Sequence, residues 1–211
     1  MFVVVISIAS FAINQEKENA KESMPSLVSP KGHDDEWSKW IVGEWEGTAK
    51  SDMGKYKDWV TGKGWAQIEF GLNGQFLIMK FQAKITQMSN EYIQYLKETM
   101  NMSDEDIEKI RNSTFEEINI QTIDPKTGEI VGYLFDSLRC VAKGKGRREE
   151  NKEIMEWQWS VCGQGTSIQT TEKVSDDKFI FTEKYTLPDG SVMEDKGVMT
   201  RKKITTEKGK Q

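Results

Sequence analysis

Glu183 and Asp195 are the residues best placed to do chemistry in this sequence. The runs Phe179 to Tyr185 and Met193 to Met199 flank Pro188-Asp189-Gly190, a turn sequence. A hairpin about that turn pairs Tyr185 with Met193, Phe181 with Gly197 and Phe179 with Met199. The same register sets Glu183 opposite Asp195 on the apolar face. Two adjacent carboxylates in an apolar cavity cannot both ionise cheaply, so one should hold its proton near neutral pH. Such a pair can act as general acid and base, anchor the polar end of a ligand, or bind a nearby cation such as Arg201.

The elements that must position this pair read as hairpins. Asn73-Gly74 is a strong short hairpin signal. About it, Phe70 falls opposite Leu77, Ile68 opposite Met79 and Ala66 opposite Phe81, all apolar, while Gln67, Glu69, Lys80 and Gln82 share the other face. Pro125-Lys126-Thr127-Gly128 pairs Ile120 with Tyr133 and Ile118 with Phe135, and Ser175 to Lys178 sets Val174 against Phe179. Met155, Trp157, Trp159 and Val161 alternate with polar residues at period two. The aromatic lining expected of one buried face is Tyr133, Phe135, Trp157, Trp159, Phe181 and Tyr185. Consecutive hairpins with one apolar face predict an all-β fold, an antiparallel up-and-down β-barrel of about ten strands; an open sandwich is the alternative.

One segment departs from this pattern. Residues 89–112 carry Tyr92, Ile93, Leu96, Met100, Ile107 and Ile110 at helical spacing. Ser103 followed by Asp104, Glu105 and Asp106 reads as a capped helix start. Two short helices are expected there, over a mouth or flank of the barrel.

Bulk properties bound the function. The chain has 211 residues with a net charge of −5, 36% hydrophobic and 30% charged. One domain with tails is expected, and nothing in the charge balance favours nucleic acid. Residues 1–12 read as a signal peptide: Phe2 to Ile13 is apolar but too short to span a bilayer, and Ser10-Phe11-Ala12 offers a small-x-small cleavage site. Residues 13–35 read as a disordered linker, 36–203 as the barrel and 204–211 as a disordered tail. The mature protein is expected to be secreted or periplasmic, without a stable membrane span.

Cys140 and Cys162 flank the polar stretch Lys143 to Lys152, which looks like a long hairpin connection. An even cysteine count in an exported chain suits a disulfide, and two buried thiols are the other reading. His33, the one histidine, falls before the barrel. The interior therefore has no imidazole for a haem iron, a zinc site or a Ser–His couple, and no cofactor or metal is expected. Gly144-Lys145-Gly146 lacks the context of a phosphate cradle and reads as turn-forming.

The chain resembles the calycin superfamily of lipocalin-like and fatty-acid-binding-like barrels, and more narrowly the bacterial lipocalin-like proteins of a domain-of-unknown-function family. The resemblance is carried by Trp40-Ile41-Val42-Gly43-Glu44-Trp45-Glu46-Gly47, the Asn73-Gly74 hairpin, Phe135-Asp136-Ser137, the Met155 to Val161 strand, and Asp189-Gly190 followed by Arg201. It implies that Trp45 of the opening strand is covered by Arg201 of the closing strand. The expected function is binding of a small hydrophobic or amphipathic ligand in the barrel cavity. A barrel isomerase, cyclase or hydrolase using Glu183 and Asp195, and a filled barrel that binds another protein, are the alternatives.

Overall fold

The computed structural model describes residues 32–53, 56–161, 165–187 and 190–203. The expected signal peptide, most of the expected linker, the C-terminal tail and Cys162 lie outside the described residues. The elements follow in the order α1 (Glu36–Ile41), β1 (Gly43–Met53), β2 (Tyr56–Gly71), β3 (Phe76–Met88), α2 (Asn90–Glu98), α3 (Asp104–Asn112), β4 (Thr114–Ile123), β5 (Ile130–Asp136), β6 (Val141–Glu149), β7 (Lys152–Val161), β8 (Gly165–Ser175), β9 (Lys178–Thr186) and β10 (Val192–Arg201). Each strand pairs antiparallel with its chain neighbours, and β1 pairs with β10 to close the barrel. Closure removes both sheet edges, so no ladder is left as a template for aggregation.

Hairpin registers follow the sequence pattern closely. Phe70 meets Leu77, Ile68 meets Met79 and Ala66 meets Phe81. Ile120 meets Tyr133, Ile118 meets Phe135, and Glu183 meets Asp195. One register differs: Lys173, not Val174, faces Phe179, because a bulge between Lys173 and Ser175 takes up the extra residue. The polar stretch from Lys143 is also not a connection. It is most of strand β6, which turns at Glu150 and Asn151 into β7.

Gly144 lies in that strand rather than in a turn, directly opposite Trp157. A Cβ there would collide with the Trp157 ring, and one at Gly132 on β5 would also press on it. Trp157 thus lies flat over a floor of glycines and is 1% exposed. It packs with Ile130, Leu134, Ala142 and Met155 into one of three apolar clusters.

The second cluster closes one end of the barrel. Helix α1 is capped by Asp35, whose side chain accepts from Ser38 N–H. Its Ile41 packs with Trp45, Ile68, Leu77, Phe179 and Met199. Trp45 donates Nε1–H to the Ile41 carbonyl at 2.8 Å, and the Arg201 guanidinium lies 4.2 Å from the centre of its ring. Arg201 also donates to the carbonyls of Val42, at 2.7 Å, and Trp40. A Cβ at Gly43, whose φ is +140°, would collide with Arg201 Nη1. Glycine before Glu44-Trp45 is what lets the closing strand's arginine reach across the opening strand's tryptophan.

The packed body begins before Glu36. His33, expected in the linker, is buried, with N–H bonded to the Gly74 carbonyl and Nδ1 3.1 Å from Ser38 Oγ. Arg148 of β6 bonds both Asp35, at 2.6 Å, and Glu153 of β7, at 2.8 Å. This partly buried charge cluster ties the segment before α1 to the barrel wall.

The third cluster sits by the other end. Ser103 caps α3 and Ser89 caps α2 through their side-chain oxygens. The two helices contact β2 and β3 and bury Met88, Leu96 and Ile107 together. Trp59 packs edge-on against Tyr92 and at a tilt against Tyr95, and is buried. The insertion covers the flank at this end. Among the described residues no helix is long and apolar enough to cross a membrane.

Candidate functional site

Ten strands enclose a cavity of about 580 Å³. Trp37 and Ile41 of α1 form its floor, and Leu138, Thr166 and Leu187 lie around its mouth. Much of the wall is apolar, with Phe115, Phe181, Met193 and Trp159 among its side chains. The polar part is concentrated on two arcs of wall, one on β8 to β10 and one on β4.

The first arc holds the predicted pair. Glu183 is 6% exposed and stands directly across the ladder from Asp195. Trp159 Nε1–H donates to Ser167 Oγ at 3.0 Å, and the Ser167 hydroxyl donates to Glu183 Oε1 at 2.7 Å. Tyr185 also hydrogen-bonds the Glu183 carboxylate. Glu183 is thereby fixed in one orientation by two side chains, Ser167 and Tyr185, with Trp159 holding Ser167 in turn. Burial pushes its pKa up to about 7, the hydrogen bonds from Ser167 and Tyr185 oppose that, and the Asp195 charge adds to it. Asp195 accepts a hydrogen bond from Ser51, and burial raises its pKa as well.

The second arc is Glu117, Asn119 and Gln121, alternate residues of β4. Burial, then the charges of Glu183 and Asp136, raise Glu117 to about 8. Two acids with such values near neutral pH can each give or take a proton there. Glu117 and Glu183 sit on opposite arcs yet sense each other's charge, so the two arcs face one interior space.

Of the residues expected to line the cavity, Trp159, Phe181, Glu183, Tyr185 and Asp195 do so. Trp157 points inward but lies in the wall, over Gly144 and Gly132, and is core. Tyr133 and Phe135 are corrected: each is 44% exposed on the outer face. Their pairing with Ile120 and Ile118 is as expected, but the face is reversed. From Glu116 onward in β4, and along β5, isoleucine or aromatic rings face outward and Glu117, Asn119, Gln121, Gly132 and Leu134 inward. The apolar-in rule therefore missed β4. Rows of cross-strand partners carry the missing signal: Trp157 faces Gly144, Gly144 faces Gly132, and Gly132 faces Gln121, so an inward Trp157 makes Gln121 inward.

Cys140 takes part in a disulfide and lies at the mouth. Cys162, the other cysteine of the sequence, lies outside the described residues.

No family model matches the sequence, and no curated protein matches it. Solved structures do. An S-type phycobiliprotein lyase from Guillardia theta superposes with a TM-score of 0.54 at 9% identity, covering 80% of this chain and 92% of that one. The fold is calycin-like. At that identity the likeness concerns the fold alone. A de novo designed fluorescence-activating β-barrel aligns at a TM-score of 0.37 and 11% identity, over 78% of this chain and 96% of its own. A protein of unknown function of the DUF3598 family, from Nostoc punctiforme, aligns at 0.26 and 7%, over 80% and 99%. These lower scores add nothing to the reading of the site.

Proposed function

We propose that this calycin-like barrel binds a small hydrophobic or amphipathic molecule in its cavity, outside the cytoplasm. The observation that carries the reading is the cavity itself. It is about 580 Å³, within the range of small-molecule sites, mostly apolar, and furnished with a few convergent polar groups. A barrel filled with side chains, as a protein-interaction module would be, has no such space. The extracytoplasmic part rests on the apolar stretch and small-x-small site at residues 1–12. Membership of the bacterial lipocalin-like proteins rests on the Gly43-Glu44-Trp45 opening, its Arg201 cover and the calycin-like fold.

A second reading is favoured by one observation. Glu183 is held by Ser167 and Tyr185 with a pKa near neutral, which suits a general acid or base in an isomerase, cyclase or hydrolase. Native mass spectrometry of freshly purified protein tests both. A bound small molecule, displaced one for one by the neutral apolar fluorophore N-phenylnaphthylamine, is the expected result. The absence of both a native adduct and a fluorophore adduct would overturn ligand binding. Conversion of the recovered molecule by wild-type protein, lost in Glu183→Gln, would shift the assignment to an enzyme.

A further inference from the structure

Four buried polar atoms in the wall of this cavity have no hydrogen-bond partner among the described residues. They are both amide atoms of Asn119, the Oε1 of Gln121 and the Oδ1 of Asp195. Asn119 is 2% exposed and Gln121 8%, so solvent at the protein surface does not satisfy them. Burying such atoms without partners is costly, and a turn of these side chains toward the cavity, where a bound group can pair with them, recovers that cost. Three of the four are acceptors.

The charges nearby are predominantly negative. Glu117, Asp136, Glu153, Glu183 and Asp195 line the cavity, and Lys84 on β3 is the only basic side chain among the described lining residues. Glu153 is already paired with Arg148 toward the closed end. Glu117, Glu183 and Asp195 have no ion pair with a basic side chain among the described residues.

From the wall of acceptors and unpaired acids in an apolar cavity, we infer that the ligand is an apolar molecule ending in a protonated amine, its ammonium seated among Glu117, Glu183 and Asp195. This inference rests on the ligand-binding reading above. An alkylammonium offers three N–H donors and no acceptor, which suits a site dominated by acceptors. Its charge offsets the mutual repulsion of the acids, which otherwise hold protons. Phe181, Tyr185 and Trp159 supply aromatic surface on the same wall. A carboxylate-headed ligand would instead add one more negative charge to the cluster.

The amine and protons compete for the same acids. Glu183 is faced by Asp195 of β10 and by Tyr185 of its own strand, and Glu117 by Asp136 of β5. Asp52 of β1 acts on Asp195, while β8 brings the neutral Ser167 and Gln169. Binding of the ammonium favours the ionised acids, so its affinity rises with pH through the values of Glu183 and Glu117, about 7 and 8.

The test displaces N-phenylnaphthylamine from the full-length protein with decylamine, decanol or decanoate, at pH 6 and pH 8. An alkylamine stays charged across this range, with an ordinary pKa near ~10.4. At pH 8 decylamine should compete at least about tenfold better than decanol, equivalent to about 1.4 kcal/mol, and decanoate worst of the three. That advantage should shrink about tenfold at pH 6, as one displaced proton requires. Glu183→Gln and Asp195→Asn should each weaken decylamine severalfold while leaving decanol nearly unchanged. Fluorophore binding with no preference for decylamine, or with decanoate preferred, overturns the amine and leaves ligand binding standing. Failure of the fluorophore itself to bind overturns both.

Discussion

The Glu183 and Asp195 carboxyls face each other directly across the β9–β10 ladder, inside a cavity where neither has an ion pair with a basic side chain among the described residues. The pair is held by neutral donors instead: Ser167 and Tyr185 on Glu183, Ser51 on Asp195. Neutral donors orient the two carboxyl groups without supplying a counter-charge, and burial raises both pKa values.

That arrangement costs stability at high pH. Glu183 and Glu117 bind their protons more tightly in the folded chain, at about 7 and 8, than at their ordinary value of 4.5. A raised carboxyl pKa leaves stability intact below the unfolded value and loses it as pH rises through the folded one. Urea unfolding should therefore show stability falling between about pH 5 and pH 8. Glu117→Gln should flatten that slope and be more stable than wild type at pH 8, by roughly 1–3 kcal/mol, with little gain at pH 5. A variant less stable than wild type at pH 8 would contradict the buried, unpaired state of Glu117.

Arg201→Ala removes the stack on Trp45 and the bonds to two carbonyls. A cation–π contact gives about 0.5–2 kcal/mol and hydrogen bonds from a charged group about 1.5–3 kcal/mol each. The loss is expected to exceed about 1 kcal/mol in chemical denaturation, with a change in tryptophan emission. Arg201→Lys should recover little, since an ammonium cannot stack and fork to Val42 and Trp40 together.

Gly144→Ala drives a methyl into the Trp157 ring. Overpacking of this kind costs about 1–3 kcal/mol, read as a lower urea midpoint at unchanged slope. Gly128, in a turn with nothing near its Cβ position, has a φ of +74°, and Gly128→Asn there should be tolerated better.

Hairpins were legible because a tight turn fixes both register and relative face. Asn73-Gly74 and Pro188-Asp189-Gly190 did this, and Glu183 with Asp195 followed from the second. The face of β4 and β5 was not legible by the same rule. Ile118, Tyr133 and Phe135 are apolar yet lie outside, while Glu117 and Asn119 lie inside. A cavity lined by polar side chains reverses the usual burial preference, and the apolar-in rule fails there for that reason. Gly144 was misread because glycine in a turn and glycine under a tryptophan look alike in one sequence. His33 looks like linker in the sequence because nothing in the polar run around it announces the Gly74 carbonyl that its N–H meets.

Cys140 is disulfide-bonded, and with only two cysteines in the sequence, thiol titration of unreduced, denatured protein should find no free thiol. Two thiols per chain would contradict it. Reduction should lower the melting temperature, as loss of a crosslink in a small domain commonly costs about 2–5 kcal/mol.

Ligand binding inside the barrel is tested most directly by titrating N-phenylnaphthylamine into wild-type protein and into Ala83→Trp. Ala83 lines the cavity, and an indole there takes up space that the fluorophore needs. Wild type should saturate at one fluorophore per chain with enhanced emission. Ala83→Trp, folded by circular dichroism, should bind at least about tenfold more weakly, a difference of about 1.4 kcal/mol. No saturable binding to wild type, or equal binding to both proteins, would contradict a ligand site in this cavity.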